Sequence, residues 1–240
     1  LIFLPIAKPL TLKSLNISPS GGFTLGASSP GGPSKPKQYL RINHRSLIDV
    51  SLEKITRTKK IQNIFIVIDK NSSYKIPTNK SNVYLVQGGN TRTKSVYNAL
   101  KFISKNISNS KNILIHDAAR PCVEIKDINN LLAQSISSRT GASLGYPLTN
   151  ALKKINQRSI VINNIKRDNL YMSFTPQVFN FTKLFSAYSD IISKKIEVDD
   201  EIEAMNLYGH KVKIIRASVG NIKLTYKDDL EIVKILMKKK

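Results

Sequence analysis

A chain of 240 residues is long enough to bury a sizeable core and fits one large α/β domain better than two ordinary ones. Its 38 basic and 16 acidic residues give a net charge of +22; the 29 Lys and nine Arg lie scattered among Asn, Ser and Ile, which suits a solvated surface and argues against a dedicated nucleic-acid face. One cysteine, Cys122, excludes a disulfide framework and a thiolate metal set, and no stretch approaches the roughly 18 apolar residues of a membrane span.

Residues 1–34 differ from all that follows. They hold five of the ten prolines, five of the eleven glycines, two lysines and no acidic residue, so a composition break near Ser34 separates an atypical Pro/Gly/Ser-rich leader from a domain over 35–240. Leu1 to Leu4 is compatible with a first buried strand. Gly21-Gly22, Gly26 and Gly31-Gly32 read as an irregular or disordered loop that matches neither a P-loop nor a dinucleotide fingerprint.

Lys37, in Pro36-Lys37-Gln38-Tyr39, follows that loop at a place from which a cation can reach a phosphate. Leu47, Ile48, Leu52 and Ile55 recur at helical spacing behind Ser46, a good N-cap, and Ile61 to Ile68 is a β-branched run that predicts a strand. Val83 to Val86, a second strand, runs into Gly88-Gly89-Asn90. Glycines there let a flat ligand approach the backbone, and Arg92 and Ser95 fall near the start of a helix that buries Val96, Leu100 and Ile103, where anions are favoured. A capped glycine turn is the plainer alternative.

Asn112 to Pro121 is the most informative stretch. Ile113-Leu114-Ile115 predicts a buried parallel strand that ends in His116-Asp117-Ala118-Ala119-Arg120-Pro121. In open α/β sheets ligands bind outside the carboxyl ends of the strands, which puts Asp117 and Arg120 at the mouth of a crevice. Asp117 suits sugar hydroxyls or a metal, and Arg120 offers a planar fork to phosphate or carboxylate. The alternative is a strand-end turn in which Asp117 caps the next segment and Arg120 pairs with it.

A helix over 125–136 and a strand over 142–147 come next. Residues 151–165 alternate apolar and polar in two short runs around Asn156-Gln157-Arg158-Ser159, the pattern of a projecting β-hairpin and so of an oligomer contact, with Arg167 at its end. Phe174-Thr175-Pro176-Gln177 predicts a turn into a helix carrying Phe181, Leu184, Phe185 and Tyr188. Val198-Asp199-Asp200-Glu201 precedes a short helix ending near Gly209, Lys211 to Ile215 predicts a strand, and the C-terminal helix is expected to bury Leu230, Ile232, Val233 and Ile235. Strands alternating with helices predict a Rossmann-like, doubly wound, mostly parallel sheet with a projecting arm at about 148–166.

Pro36 to Tyr39, Gly88-Gly89 with Arg92 and Ser95, His116 to Pro121, Arg167 before Thr175-Pro176-Gln177, and Asn221-Ile222-Lys223-Leu224-Thr225 form an ordered set over about two hundred residues. That set resembles the 2-C-methyl-D-erythritol 4-phosphate cytidylyltransferases, nucleotidyltransferases of the non-mevalonate isoprenoid route that join CTP to methylerythritol phosphate. The resemblance implies catalytic roles for Lys37, Arg167 and Lys223. It implies nucleotide contacts from Gly89, Asn90, Ser95, Asp117 and Ala118, and acceptor contacts from Arg120, Thr175 and Asp199. It further implies a magnesium ion at Asp117, a homodimer formed through the hairpin arm, and a cytoplasmic or plastid-type location without membrane attachment. An in-line displacement at the α-phosphate needs positioned cations more than a general base, so the residue types suit the reaction.

The chain departs from the family pattern at several places. Residues 1–34 contain no arginine, where the family carries one on a compact glycine-rich loop. Ala151 stands for a threonine of the arm, Asp199 for a common threonine, and Gly220 for an acidic residue. A ribitol-phosphate cytidylyltransferase is the alternative enzyme, although Ala118-Ala119 favours the methylerythritol acceptor. A non-catalytic homologue that binds nucleotides or anions is the alternative from another class.

Overall fold

The computed structural model describes residues 2–4, 39–42, 44–76, 82–135 and 141–238. In chain order the elements are β1 (Ile2–Leu4), β2 (Arg41–Ile42), β3 (Arg45–Ser46), α1 (Leu47–Thr56), β4 (Ile64–Ile68), β5 (Val83–Gln87), α2 (Arg92–Asn106), β6 (Asn112–Asp117) and α3 (Ile125–Ser135). They continue with β7 (Gly141–Pro147), β8 (Leu152–Ile155), β9 (Val161–Ile165), β10 (Tyr171–Asn180), α4 (Phe181–Ser193), α5 (Glu201–Leu207), β11 (Lys213–Arg216) and α6 (Lys227–Lys238).

Seven strands form one sheet in the order β11-β7-β10-β6-β1-β4-β5. β5, β4, β1 and β6 pair in parallel, as do β7 and β11, while β10 runs antiparallel between β6 and β7. The β-branched run predicted at 61–68 pairs only from Ile64. Its residues alternate between two covered faces, which is why they read as continuously apolar. Ile64 and Ile66 pack with Ile48 and Leu52 of α1 and Ile128 and Leu131 of α3. Phe65 and Val67 pack with Val96 and Leu100 of α2, Leu184 and Tyr188 of α4, and Ala204 of α5. The sheet is therefore wound on both sides, as the alternation of elements predicted.

Local signals place the helix starts. Ser46 Oγ accepts the Asp49 N–H at 3.2 Å at the head of α1, and Thr91 Oγ1 accepts the Lys94 N–H at 3.1 Å at the head of α2, each satisfying a donor that the first helical turn leaves unpaired. The apolar start of the chain supplies β1, whose backbone lies between β6 and β4. That part of residues 1–34 thus belongs to the main sheet, and residues 5–38 lie outside the described set.

Two expectations need correction. Phe174 to Gln177 is not a turn into a helix but the middle of β10, where the register shifts between Phe174 and Gln177 and the Thr175–Pro176 bond is cis. A proline cannot donate to a ladder and is tolerated within a sheet only at an irregularity of this kind. In α6 the buried residue is Val233, with Leu230, Leu236 and Met237 partly buried against Ile42, Leu47 and Leu224, whereas Ile232 and Ile235 face outward at 48 % and 57 % exposure.

Candidate active site

Three segments of the chain meet at the carboxyl end of β6. The strand delivers His116 and Asp117 at its last two positions, the bulge of β10 brings Thr175 beneath them, and the segment after β11 returns Asn221 and Lys223. Leu224 N–H donates to the Ala119 carbonyl at 2.9 Å, which holds that returning segment against the strand end.

Asp117 is the centre of the cluster. Lys223 Nζ lies 2.9 Å from its Oδ2, and Arg120 Nε lies 3.6 Å away, an ion-pair distance too long for a hydrogen bond. Burial alone would raise the Asp117 pKa, but Lys223, then Arg92 and Arg120, overcome that penalty and hold the carboxyl well below the usual range. A carboxylate surrounded by cations stays ionised throughout the working pH range. Arg120 is fixed by a 2.8 Å bond from Nη1 to the Asn221 carbonyl, and its guanidinium stacks 5.5 Å from the Phe174 ring centre.

A second cluster lies at the same, carboxyl end of the parallel strands, at the β5 edge of the sheet. Gly89 N–H donates to Ser95 Oγ at 3.0 Å, and the same hydroxyl donates to the Thr91 carbonyl at 2.8 Å, folding the Gly88-Gly89-Asn90 loop onto the start of α2. A Cβ on Gly88 would come within 3.0 Å of Ser95 Oγ and 3.3 Å of the Ile68 carbonyl, so the loop needs glycine for this close approach. β4 and β1 lie between this loop and Asp117, a separation of about 14 Å at the normal strand spacing. The chain runs outward from β1 through β4 to β5 and then resumes on the far side of β1 with β6. This is a topological switch point, where open α/β sheets bind ligands.

The remaining residues fall in different places. Ala118 is fully buried and its carbonyl accepts from Ser51 Oγ at 3.1 Å. Asn90 and Asp199 are exposed. Thr175 is 4 % exposed, and its hydroxyl accepts the Asp117 N–H at 2.9 Å, so it supports the cluster from below. Arg167 is exposed at the foot of the arm, where Nη1 donates to the Thr149 carbonyl. Lys37 lies outside the described residues.

The partners of several of these residues escape a reading of the sequence. Arg92 turns inward and bonds Glu201, which is fully buried, at 2.7 Å. Tyr188 O–H donates to the other oxygen of Glu201 at 3.1 Å. Asn221 and His116 complete the floor beneath Asp117: Asn221 Nδ2 donates to the Thr175 carbonyl at 2.9 Å, and His116 Nε2 lies 3.2 Å from the Arg120 carbonyl. Burial lowers the His116 pKa to about 4. Because a carbonyl can only accept, Nε2 carries the proton, which leaves Nδ1 to accept from the Thr175 hydroxyl 3.4 Å away. Arg92 was visible as a residue, and the acidic run at 198–201 was visible as a cluster. Their pairing across 109 positions of sequence was not.

The profile of the 2-C-methyl-D-erythritol 4-phosphate cytidylyltransferase family matches residues 26–239. A 2-C-methyl-D-erythritol 4-phosphate cytidylyltransferase of Hahella chejuensis is 32 % identical over 217 residues, covering 89 % of this chain and 90 % of its own length. One of Wigglesworthia glossinidia brevipalpis is 35 % identical over 199 residues, covering 81 % and 84 %. Among solved structures, the enzyme of that name from Francisella tularensis superposes with a TM-score of 0.73 at 33 % identity, covering 84 % of this chain and 93 % of its own.

Proposed function

The chain belongs to the 2-C-methyl-D-erythritol 4-phosphate cytidylyltransferase family, and we propose that the cluster around Asp117 is the centre at which it transfers CMP from CTP to 2-C-methyl-D-erythritol 4-phosphate. The products are 4-diphosphocytidyl-2-C-methyl-D-erythritol and pyrophosphate, in isoprenoid biosynthesis. The observation that carries the site assignment is the ionised Asp117 carboxylate ringed by Lys223, Arg120 and Arg92 at the carboxyl end of β6.

In this reading the cytosine lies on the Gly89–Ser95 loop, with Asn90 at its edge, and the ribose reaches toward Asp117 and Ala118. A phosphate oxygen of the acceptor forms a bond to the α-phosphorus as the α–β bridging bond breaks, and pyrophosphate leaves with the electron pair. Negative charge spreads over the phosphoryl oxygens as this happens, and Lys223 and Arg120 are already in place to meet it. Lys37 serves the departing phosphates. Asp199 faces the acceptor hydroxyls.

The residues also fit a magnesium ion. Among the described residues no three His, Cys, Asp or Glu side chains gather as a self-sufficient metal site. Magnesium at nucleotide sites needs only one or two protein carboxylates and takes its other ligands from phosphates and water. Asp117 supplies that carboxylate. The bound ion would withdraw charge from the triphosphate.

Arg167 serves the acceptor in the site of a second copy. Among the described residues, the two strands of the arm pair with each other and with no strand of the main sheet, and Ile155, Ile160, Val161, Ile162 and Ile165 on it are 45–58 % exposed, an apolar surface suited to burial against another chain.

The experiment is magnesium-dependent pyrophosphate release from CTP and methylerythritol phosphate. Lys223→Ala is expected to lower kcat/KM by about 10²–10³-fold, equivalent to about 3–4 kcal/mol of lost transition-state stabilisation, in a protein that remains folded at the assay temperature. Wild-type turnover in this variant would remove Asp117 and Lys223 as the site.

A further inference from the structure

We propose that Asn221 is a positioning residue of the transfer centre, which sets Lys223 and Arg120 at their places beside the Asp117 carboxylate. The inference rests on the assignment of that centre above and adds a residue with which the chemistry has no direct contact.

Four polar groups of Asn221 and its neighbours bear on the cluster. Its side chain is 1 % exposed, and Nδ2 donates to the Thr175 carbonyl at 2.9 Å. Its main-chain carbonyl accepts from Arg120 Nη1 at 2.8 Å. Two residues on, Lys223 Nζ reaches Asp117 at 2.9 Å, and one residue further the Leu224 N–H is held by the Ala119 carbonyl at 2.9 Å. The segment bearing Lys223 is therefore tied down at both ends, to β10 by Asn221 and to the β6 turn by Leu224. Lys223 carries a flexible four-carbon stem, so the place of its ammonium depends on how firmly its backbone is held.

The remaining atom of the amide argues that this bond has a use beyond packing. Asn221 Oδ1 is buried and has no hydrogen-bond partner among the described residues, a configuration that costs free energy. An apolar side chain of similar size would avoid that cost. Reversing the amide would set Oδ1 against the Thr175 carbonyl, two acceptors face to face. The site keeps an asparagine whose acceptor is wasted because only the donor can hold the Thr175 carbonyl and, through it, the bulge whose threonine hydroxyl accepts the Asp117 N–H. Asn221 thus joins the three segments that supply Asp117 with Arg120, Thr175, and Lys223.

The test is a double-mutant cycle, with kcat, KM and melting temperature measured for Asn221→Ala in the native background and in Lys223→Ala. Misplacement by about an ångström costs on the order of 10²-fold in rate. Asn221→Ala is therefore expected to lower kcat/KM by about 10–100-fold in the native background, chiefly through kcat, with the KM for CTP changed less than about threefold. In Lys223→Ala the same substitution is expected to cost several-fold less than in the native background, because the share that acts through Lys223 is already lost and only the share that acts through Arg120 remains. Equal losses in both backgrounds, or a lower melting temperature with native kinetics, would overturn the proposal. Should Asn221→Ala fail to fold, Asn221→Ser is measured in the same two backgrounds against the same outcomes. The Lys223→Ala enzyme alone separates the two failures: native turnover there sinks the site assignment and this inference with it, whereas a disabled Lys223→Ala with an additive cycle sinks only the role of Asn221.

Discussion

The Asp117 carboxylate and the His116 imidazole are adjacent in sequence and buried together, yet their environments hold them in opposite charge states, the carboxylate ionised and the imidazole neutral. Asp117 has cations around it and its pKa is depressed, so its contribution to stability is present above its unfolded value and is lost only in strong acid. His116 is a base whose pKa burial lowers from 6.5 to about 4. Between those two values the unfolded chain binds a proton that the folded chain refuses, so stability falls as the pH drops from about 7 to about 4. The loss amounts to about 3 kcal/mol at most, at 1.4 kcal/mol per unit. Chemical denaturation across that range should show this slope, and His116→Gln, which keeps a donor and an acceptor but does not titrate, should reduce it. An unchanged slope in His116→Gln would assign the acid sensitivity elsewhere. Asp117, Arg120 and Lys223 were legible because charged side chains that close an apolar strand, or return to it, belong at its open end, where such sheets bind ligands. Thr175 was legible as a residue but not in its role: the hydroxyl faces the Asp117 N–H only because the bulge in β10 turns it there.

The elements followed from periodicity wherever one covered face sets the pattern, as in α1 and α2. They failed where tertiary context overrides the local signal. Phe174 to Gln177 reads as a turn because of its proline, but the antiparallel neighbours on both sides hold it as a strand with a bulge. The joint between α2 and α5 is of the same kind. Arg92 bonds Glu201 at 2.7 Å, and Thr93 Oγ1 accepts the Val198 N–H at 3.2 Å, which fastens the acidic segment to the head of α2. Glu201 is fully buried, so Glu201→Gln leaves the Arg92 charge poorly compensated and should cost about 3–5 kcal/mol of stability. Replacing both partners, Arg92→Met with Glu201→Met, should recover most of that loss, because an apolar pair requires no desolvation of charge. Urea denaturation of the two variants checks this. A double variant no more stable than the single one would mean that the pair itself, rather than the orphaned charge, holds the joint.

Taken as a whole, the protein carries its proposed machinery on two parts of the fold, the carboxyl end of the sheet and the arm. Asp117, Arg120 and Lys223 converge within one subunit, while Arg167 stays at the foot of an exposed hairpin. If the arm completes a neighbour's site, mixing Arg167→Ala with Lys223→Ala subunits should restore activity that neither has alone. In each mixed dimer one site would have both residues intact, and random pairing would give about a quarter of the native rate. Absence of recovery in a demonstrably exchanged dimer would confine Arg167 to its own subunit or to the hairpin's structure.

The alternation of strands and helices, the buried strand that ends at Asp117, the projecting hairpin and the ordered motifs of the family are all legible in the amino-acid order, because each is written in local periodicity or in residue type at short spacing. The antiparallel insertion of β10 between β6 and β7, the Arg92–Glu201 pair, and the placing of Asn221 and His116 beneath Asp117 come from the packed fold. Those pairings join residues far apart in the chain. Their partners are chosen by which groups the packed sheet leaves buried and unsatisfied, and no local pattern records that choice.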